Sequence, residues 1–328
     1  MRAILAKSAL RDIISVMENS IVYKCTQSDE GLLLKEVLRQ RMKISSHLMK
    51  KLKVQGGISV NGSRAGVRLR VSPGDEVRVT YPQERSYFEP QDIPLDVVWE
   101  DADLLVVNKQ AGLIVHPTHN FPDGTLANAL AFRMRQTGEI YKPRFVNRLD
   151  MNTSGLLIVA KNAHCQDFLS REMARGRVEK QYLAIVHGMV SEPGTVDLPI
   201  DKDPGHKARR MVTEGGYPSV THYWPEEVFD SQKSGSIRGY SLLRLKLETG
   251  RTHQIRVHMT HIGHPLVGDE LYAQLYGYSA DPEWMPRQAL HAAFLQFPHP
   301  ADGKPVSISA PLPDDMQNCL ELLRKDLV

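Results

Sequence analysis

The chain has 328 residues, 41% of them hydrophobic, with a net charge of +3 and three cysteines. That is enough for one sizeable core and a small accessory domain. Cys25, Cys165 and Cys319 are far apart and form no Cys-x-x-Cys pair, which speaks against a disulfide framework and for a reducing cytoplasm. No run approaches a membrane span, and the first twenty residues carry Arg2, Lys7, Arg11, Asp12 and Glu18, so no secretory leader is expected.

In chain order, residues 1–20 read as an extension or a loose amphipathic tail, with Met17 as an alternative start. Leu33, Leu34, Val37, Leu38 and Arg41 then follow a helical period, and Ser45 or Ser46 offers a cap to a second helix with Leu48, Met49 and Leu52. Ile58-Ser59-Val60 leads into the hairpin turn Asn61-Gly62, and Gly74-Asp75 precedes the alternating Glu76-Val77-Arg78-Val79. Residues 21–81 thus form a helix-helix-hairpin unit.

Charge is concentrated there. Between Glu36 and Asp75 there is no acid, while Arg39, Arg41, Lys43, Lys50, Lys51, Lys53, Arg64, Arg68 and Arg70 supply nine cations, leaving the rest of the chain at −6. A solvated basic face would serve solubility alone, but so one-sided a field suits a phosphate backbone. With Val60-Asn61-Gly62 and Gly74-Asp75, the unit resembles the S4 RNA-binding domain, although Ser46 stands where that family often has Arg. The resemblance implies that Arg39, Arg41, Lys43, Lys50, Lys51 and Lys53 contact RNA. Residues 82–92, with prolines at both ends, read as a linker.

From residue 93 to 313, short apolar runs recur: Leu104–Val107, Leu156–Ala160, Tyr182–Val186 and Leu242–Leu247. Helical patterns, Leu126–Arg135 and Ala163–Met173, are interspersed without regular alternation, and no Gly-x-Gly-x-x-Gly or Walker sequence occurs. The expected class is α+β around a mixed, largely antiparallel sheet with flanking helices. A last amphipathic helix is predicted within 314–328, burying Met316, Leu320 and Leu323.

The most informative stretch is Asn147-Arg148-Leu149-Asp150-Met151-Asn152-Thr153-Ser154-Gly155, a carboxylate at a polar turn before a buried strand. An arbitrary Asp there caps its own turn. Several ordered motifs point elsewhere: Asn108-Lys109 with Gly112 and His116-Pro117, Glu179–Ala184, Gly250–His258, His264–Asp269 and Leu290-His291-Ala292. Together with Arg148-Leu149-Asp150 and Thr153-Ser154-Gly155 they resemble the RluA-type pseudouridine synthases across residues 93–313. Asn147 and Gln110 stand where that family usually has His and Pro.

The resemblance implies isomerisation of uridine to pseudouridine in RNA, without cofactor or metal. Asp150 is the implied nucleophile, at the sugar C1′, at the base C6 or through a glycal. Tyr182 is the implied support for the base, against the bland alternative of a core tyrosine, and Arg251 the implied cation paired with Asp150, with Arg148 as second candidate. A carboxylate in a dry pocket needs such a cation to stay ionised. Asn147, Arg148, Thr153, His253, Gln254 and Arg256 are expected to line the substrate site. Lys207, Arg209 and Arg210, in a Gly- and Pro-containing basic insertion, are expected to grip RNA. His253, His258, His261 and His264 crowd together but lack a partner Cys or Glu at metal-binding spacing.

The expected partner is ribosomal RNA, with transfer RNA as a second possibility; a monomer is expected. The rival from another class is a noncatalytic RNA-binding or ribosome-assembly factor on the same scaffold.

Overall fold

The computed structural model describes residues 14–17, 20–81, 84–230, 238–276 and 284–326. Residues 1–13 of the expected tail, and Pro82 and Gln83 of the linker, lie outside the described residues.

The N-terminal unit is a five-stranded sheet, in order β1-β2-β5-β3-β4, covered by two helices. Its strands are β1 (Ile14–Met17), β2 (Ser20–Lys24), β3 (Ile58–Val60), β4 (Ser63–Arg64) and β5 (Glu76–Thr80); its helices are α1 (Leu34–Gln40) and α2 (Ser46–Gln55). The hairpin β1–β2 corrects the expectation of a loose tail up to residue 20. Ser20, Ile21, Val22 and Tyr23 are buried, and β1 pairs with the edge that β2 would otherwise leave open.

The α2 helix starts where Ser45 Oγ accepts from Leu48 N at 3.1 Å and stops at Gly56, whose φ of 74° is left-handed. Leu34, Val37, Leu38 and Leu52 pack onto Ile58, Val77 and Val79 beneath them. The segment after residue 83 is irregular but anchored: Asn128 Nδ2 donates to Glu89 O, and Phe88 meets the edge of His116.

The larger unit is a mixed sheet in the order β11-β14-β15-β10-β16-β9-β7-β6, with β17 added to β16 and β8 to β9. Its strands are β6 (Asp96–Glu100), β7 (Leu104–Lys109), β8 (Arg144–Phe145), β9 (Ser154–Ala160), β10 (Glu179–His187), β11 (Gly194–Asp197), β14 (Val220–Phe229), β15 (Tyr240–Leu247), β16 (Leu290–Pro298) and β17 (Pro305–Ser309). A separate hairpin joins β12 (Ile200–Lys202) to β13 (Arg210–Val212). Helices are α3 (Leu126–Thr137), α4 (Ala163–Ala174), α5 (Gln254–His261), α6 (Glu270–Ala273) and α7 (Asp314–Arg324), the last burying Met316, Leu320 and Leu323 as the sequence pattern predicts.

All named pairings within this sheet are antiparallel except β9 with β16, a short parallel seam of His291 with Ser154 and Ala292 with Gly155. The seam needs Gly155. Its φ is +111°, and a Cβ there would lie 2.3 Å from Ala292 O. β9 is buried along its whole length, which is why its sequence reads as an uninterrupted apolar run. One transverse row crosses the sheet through Lys109, Gly155, Ala292 and Tyr182.

Candidate active site

Asp150 lies in the turn that feeds this seam, with Thr153 N donating to Asp150 O at 3.1 Å. The turn is held from below. Lys109 Nζ donates to Met151 O, Leu113 O and Gln110 O, each at 2.8–2.9 Å, so all three ammonium protons are used. Arg287 Nη1 donates to Asn152 O at 3.0 Å while Asp315 holds the same guanidinium through Nε and Nη2. Burial and the charge of Arg287 pull the Lys109 amine down to about 7, with Asp150 opposing. Lys109 and Arg287 thus hold the backbone of the turn that carries Asp150.

The cation that meets Asp150 is Arg256: its Nη1 is 3.2 Å from Asp150 Oδ2. This corrects the expected pairing with Arg251, which is exposed and lies over the ring of Tyr217 instead. The reason is local geometry. His253 takes a left-handed φ of 59°, α5 starts at Gln254, and the helix carries Arg256 into the buried side. Arg148, the second candidate, is also exposed.

Arg256 is itself clamped. Nε and Nη2 donate to the two oxygens of Asp269 at 2.7 and 2.8 Å, and its Cζ lies 5.0 Å from the centre of the Tyr272 ring. Burial works against the guanidinium charge, but the hydrogen bonds and charge of Asp269, with the charge of Asp150, raise its pKa above the ordinary arginine value. The Asp150 side chain keeps 27% exposure, against 8% for Arg256 and 1% for Asp269. A partly open carboxylate therefore faces a permanently charged, immobile donor.

His253 Nε2 approaches Asp150 Oδ2 at 3.9 Å, and its Nδ1 meets Tyr272 Oη at 3.0 Å. Tyr272 Oη accepts from Arg210 N at 2.9 Å. With Arg210 N already donating to Tyr272 Oη, the tyrosine hydroxyl donates to His253 Nδ1, which places the ring proton on Nε2, on the side of the Asp150 carboxylate. Burial keeps His253 below its usual pKa, so the neutral ring is the relevant form. Tyr272 thereby ties the basic hairpin β12–β13 to the residues around Asp150.

Tyr182 packs in the main core with 7% exposure, and burial first, then the charge of Asp150, push its hydroxyl pKa well up. The tyrosine is a core residue and also a neighbour of the carboxylate.

Three expected substrate contacts are engaged internally. Asn147 is buried, accepting from Ile158 N at 2.8 Å, so it fastens the turn to β9. Thr153 is buried and accepts from Gln288. Gln254 joins Thr249, Arg251 N, Val220 O and Thr221 in a closed network. The histidines are also spent separately: His258 bonds Thr221 and Leu198 O, His264 bonds His187 O, and no group of three or more metal-ligating side chains occurs among the described residues.

Of the basic residues, Arg39, Lys50 and Lys53 are exposed on the N-terminal unit. Arg41 is committed to the fully buried Asp29, Lys43 Nζ to Gln40 O, and Lys51 to Glu84, which also holds Arg144. In the hairpin, Lys207 is exposed and Arg209 pairs with Asp203. Sequence reasoning missed Lys109, Asp269, Tyr272 and Arg287 as supports of the site. Lys109, Asp269 and the neighbourhood of Arg287 fall in or beside the ordered motifs, which was the available signal.

At the seam of this α+β sheet an acid thus faces a clamped guanidinium, with a buried tyrosine beside it. Residues 103–261 match the model of the RNA pseudouridylate synthase family. A ribosomal large subunit pseudouridine synthase D of Xanthomonas campestris is 40% identical over 83% of this chain and 82% of its own length, and one of Escherichia coli K12 is 40% identical over 78% and 79%. An uncharacterized RNA pseudouridine synthase, YlyB of Bacillus subtilis, is 40% identical over 83% and 87%. The solved structure of human RNA pseudouridylate synthase domain containing 1 superposes with a TM-score of 0.55 at 29% identity, covering 72% of this chain and 98% of that one. The chain belongs to the RNA pseudouridylate synthase family, and it is an RNA-modifying isomerase.

Proposed function

We propose that the protein converts uridines of large-subunit ribosomal RNA to pseudouridine, with Asp150 as the nucleophile. The observation that carries the assignment is the Asp150–Arg256 pair at 3.2 Å on a turn held by Lys109 and Arg287. The reaction breaks the N1–C1′ bond, turns the uracil, forms the C5–C1′ bond, removes the C5 proton and protonates N1; it is redox-neutral. Arg256 offers the nucleophilic carboxylate a fixed positive charge where a bound base displaces solvent.

Tyr182 supports the uracil, and a stacked base gains on the order of 1–3 kcal/mol, which offsets part of the cost of unstacking it. Arg148, exposed next to Leu149, contacts the RNA around the flipped nucleotide. The N-terminal unit acts as an S4-like RNA-binding domain through Arg39, Lys50 and Lys53, and Lys207, Arg209 and Arg210 hold the strand near the target. The names of the relatives favour ribosomal RNA over transfer RNA as substrate. Free, buried cysteines fit a reducing cytoplasm, and we take the chain to act as a monomer.

Tritium release from C5-labelled uridine in ribosomal RNA tests the assignment. The wild-type protein releases label, and Asp150→Asn reduces the rate at least ~10³-fold while RNA binding persists. Release by Asp150→Asn at the wild-type rate would remove the nucleophile role.

A further inference from the structure

We infer that Tyr217 and Arg251 form a stacking platform for an unpaired RNA base flanking the target uridine, an inference that rests on the RNA-modifying assignment above. Tyr217 is 62% exposed, an unusual cost for a large ring, and the exposed Arg251 guanidinium lies over it at 5.4 Å from the ring centre. Planar guanidinium and aromatic faces are the surfaces on which proteins stack splayed-out RNA bases. With one face under the guanidinium, the ring keeps its remaining surface for a base.

The pair is built, not incidental. Tyr217 N donates to Ile200 O at 2.9 Å and Ile200 N to Tyr217 O at 3.0 Å, so its backbone is pinned to β12 on both sides. Arg251 N donates to Gln254 Oε1 at 3.0 Å, and Gln254 is fixed in turn by Val220 O and Thr221. Arg251 Nε adds a weak contact to Pro218 O at 3.4 Å, which holds the guanidinium near the ring. Both backbones are rigid and both side chains are free to be covered, so little ordering is needed on binding.

The location suits a flanking base. Arg251 is two residues before His253, whose ring is 3.9 Å from Asp150, and Tyr217 follows the basic hairpin that Tyr272 anchors to the same histidine. An RNA strand gripped by Lys207 and delivering one nucleotide to Asp150 passes this platform. The Gln254 network, which a substrate cannot reach, gains a purpose as its foundation.

The test is the affinity of the full chain for a fluorescein-labelled single-stranded RNA of mixed sequence at several salt concentrations. The wild type binds with a negative salt slope. Tyr217→Ala weakens binding roughly 5- to 150-fold with the slope unchanged, because stacking releases no counterions, and Tyr217→Phe, which keeps the ring, binds like the wild type. Wild-type affinity in Tyr217→Ala overturns the platform, as does a loss accompanied by the shallower slope that Arg251→Ala would give, which marks a phosphate contact. A wild-type protein without salt-dependent RNA binding would instead bring down the RNA-binding assignment, and the platform with it.

Discussion

The seam around Asp150 and the basic face of the N-terminal unit both depend on cations, yet they treat them in opposite ways. At the seam, Lys109, Arg256 and Arg287 are buried and every one is engaged: three carbonyls for Lys109, Asp269 and Asp150 for Arg256, Asp315 and Asn152 O for Arg287. On the N-terminal unit, Arg39, Lys50 and Lys53 project into solvent. Buried, partnered charge fixes one geometry and specifies a reaction, while exposed charge adds affinity without specifying sequence. Arg41 and Lys51 show that position in a basic run does not decide which role a residue takes, since Asp29 and Glu84 pair their charge at the surface.

The sharpest way to break this contrast is at the clamp. Asp269→Asn leaves Arg256 with only the partly exposed Asp150 as a charge partner and should cost about 1.5–3 kcal/mol of stability, read by denaturant unfolding, together with most of the tritium-release activity. A variant as stable as the wild type would mean that Arg256 is not held as described. On the exposed side, Lys50→Ala with Lys53→Ala should leave stability unchanged and lower the slope of log affinity against log salt by about 1.4–1.8, since each contact contributes roughly 0.7–0.9. An unaltered slope would take these lysines off the RNA.

The smallest expected effect concerns His299 and Asp101, which join the end of β16 to the start of β7 at 2.7 Å. The hydrogen bond that His299 Nε2 donates to Asp101 raises the histidine pKa, and, although burial opposes it, the same bond and two backbone donors lower that of the acid. A raised histidine pKa stabilises the fold fully below about pH 6.5, and that contribution is lost as pH rises through the folded-state value; the lowered acid contributes above about pH 3.9 and fades below it. His299→Gln should therefore cost about 1 kcal/mol near pH 5.5 and less near pH 8. Equal losses at both values would separate this pair from the pH dependence.

Local features of the fold were legible in the sequence. The apolar run Leu156–Ala160 and the buried face of α7 each depend on neighbours in the chain, so spacing alone located them, and it narrowed the cap of α2 to Ser45 or Ser46, of which the structure uses Ser45. The hairpin β1–β2 was not, because its pairing answers a need of the sheet edge rather than a strong local pattern. Within the site, the ordered motifs rather than the turn singled out Asp150, and they pointed to Arg251, with Arg148 second, where the structure places Arg256. Arg251 and Arg256 lie in one short segment, and only the left-handed turn at His253, the start of α5 and the distant Asp269 decide which of them points inward. Lys109 and Arg287 act on backbone carbonyls that any sequence would supply, so their place in or beside the ordered motifs marked them without showing what they hold.

The central claim, that a clamped Arg256 sustains the chemistry of Asp150, is tested most directly by single-turnover tritium release with Arg256→Lys at saturating RNA. Lysine keeps the charge but cannot bind both Asp269 oxygens and reach Asp150 in one plane, so the rate constant should fall at least ~10²-fold while RNA affinity stays close to the wild type. A rate constant near that of the wild type would contradict the claim.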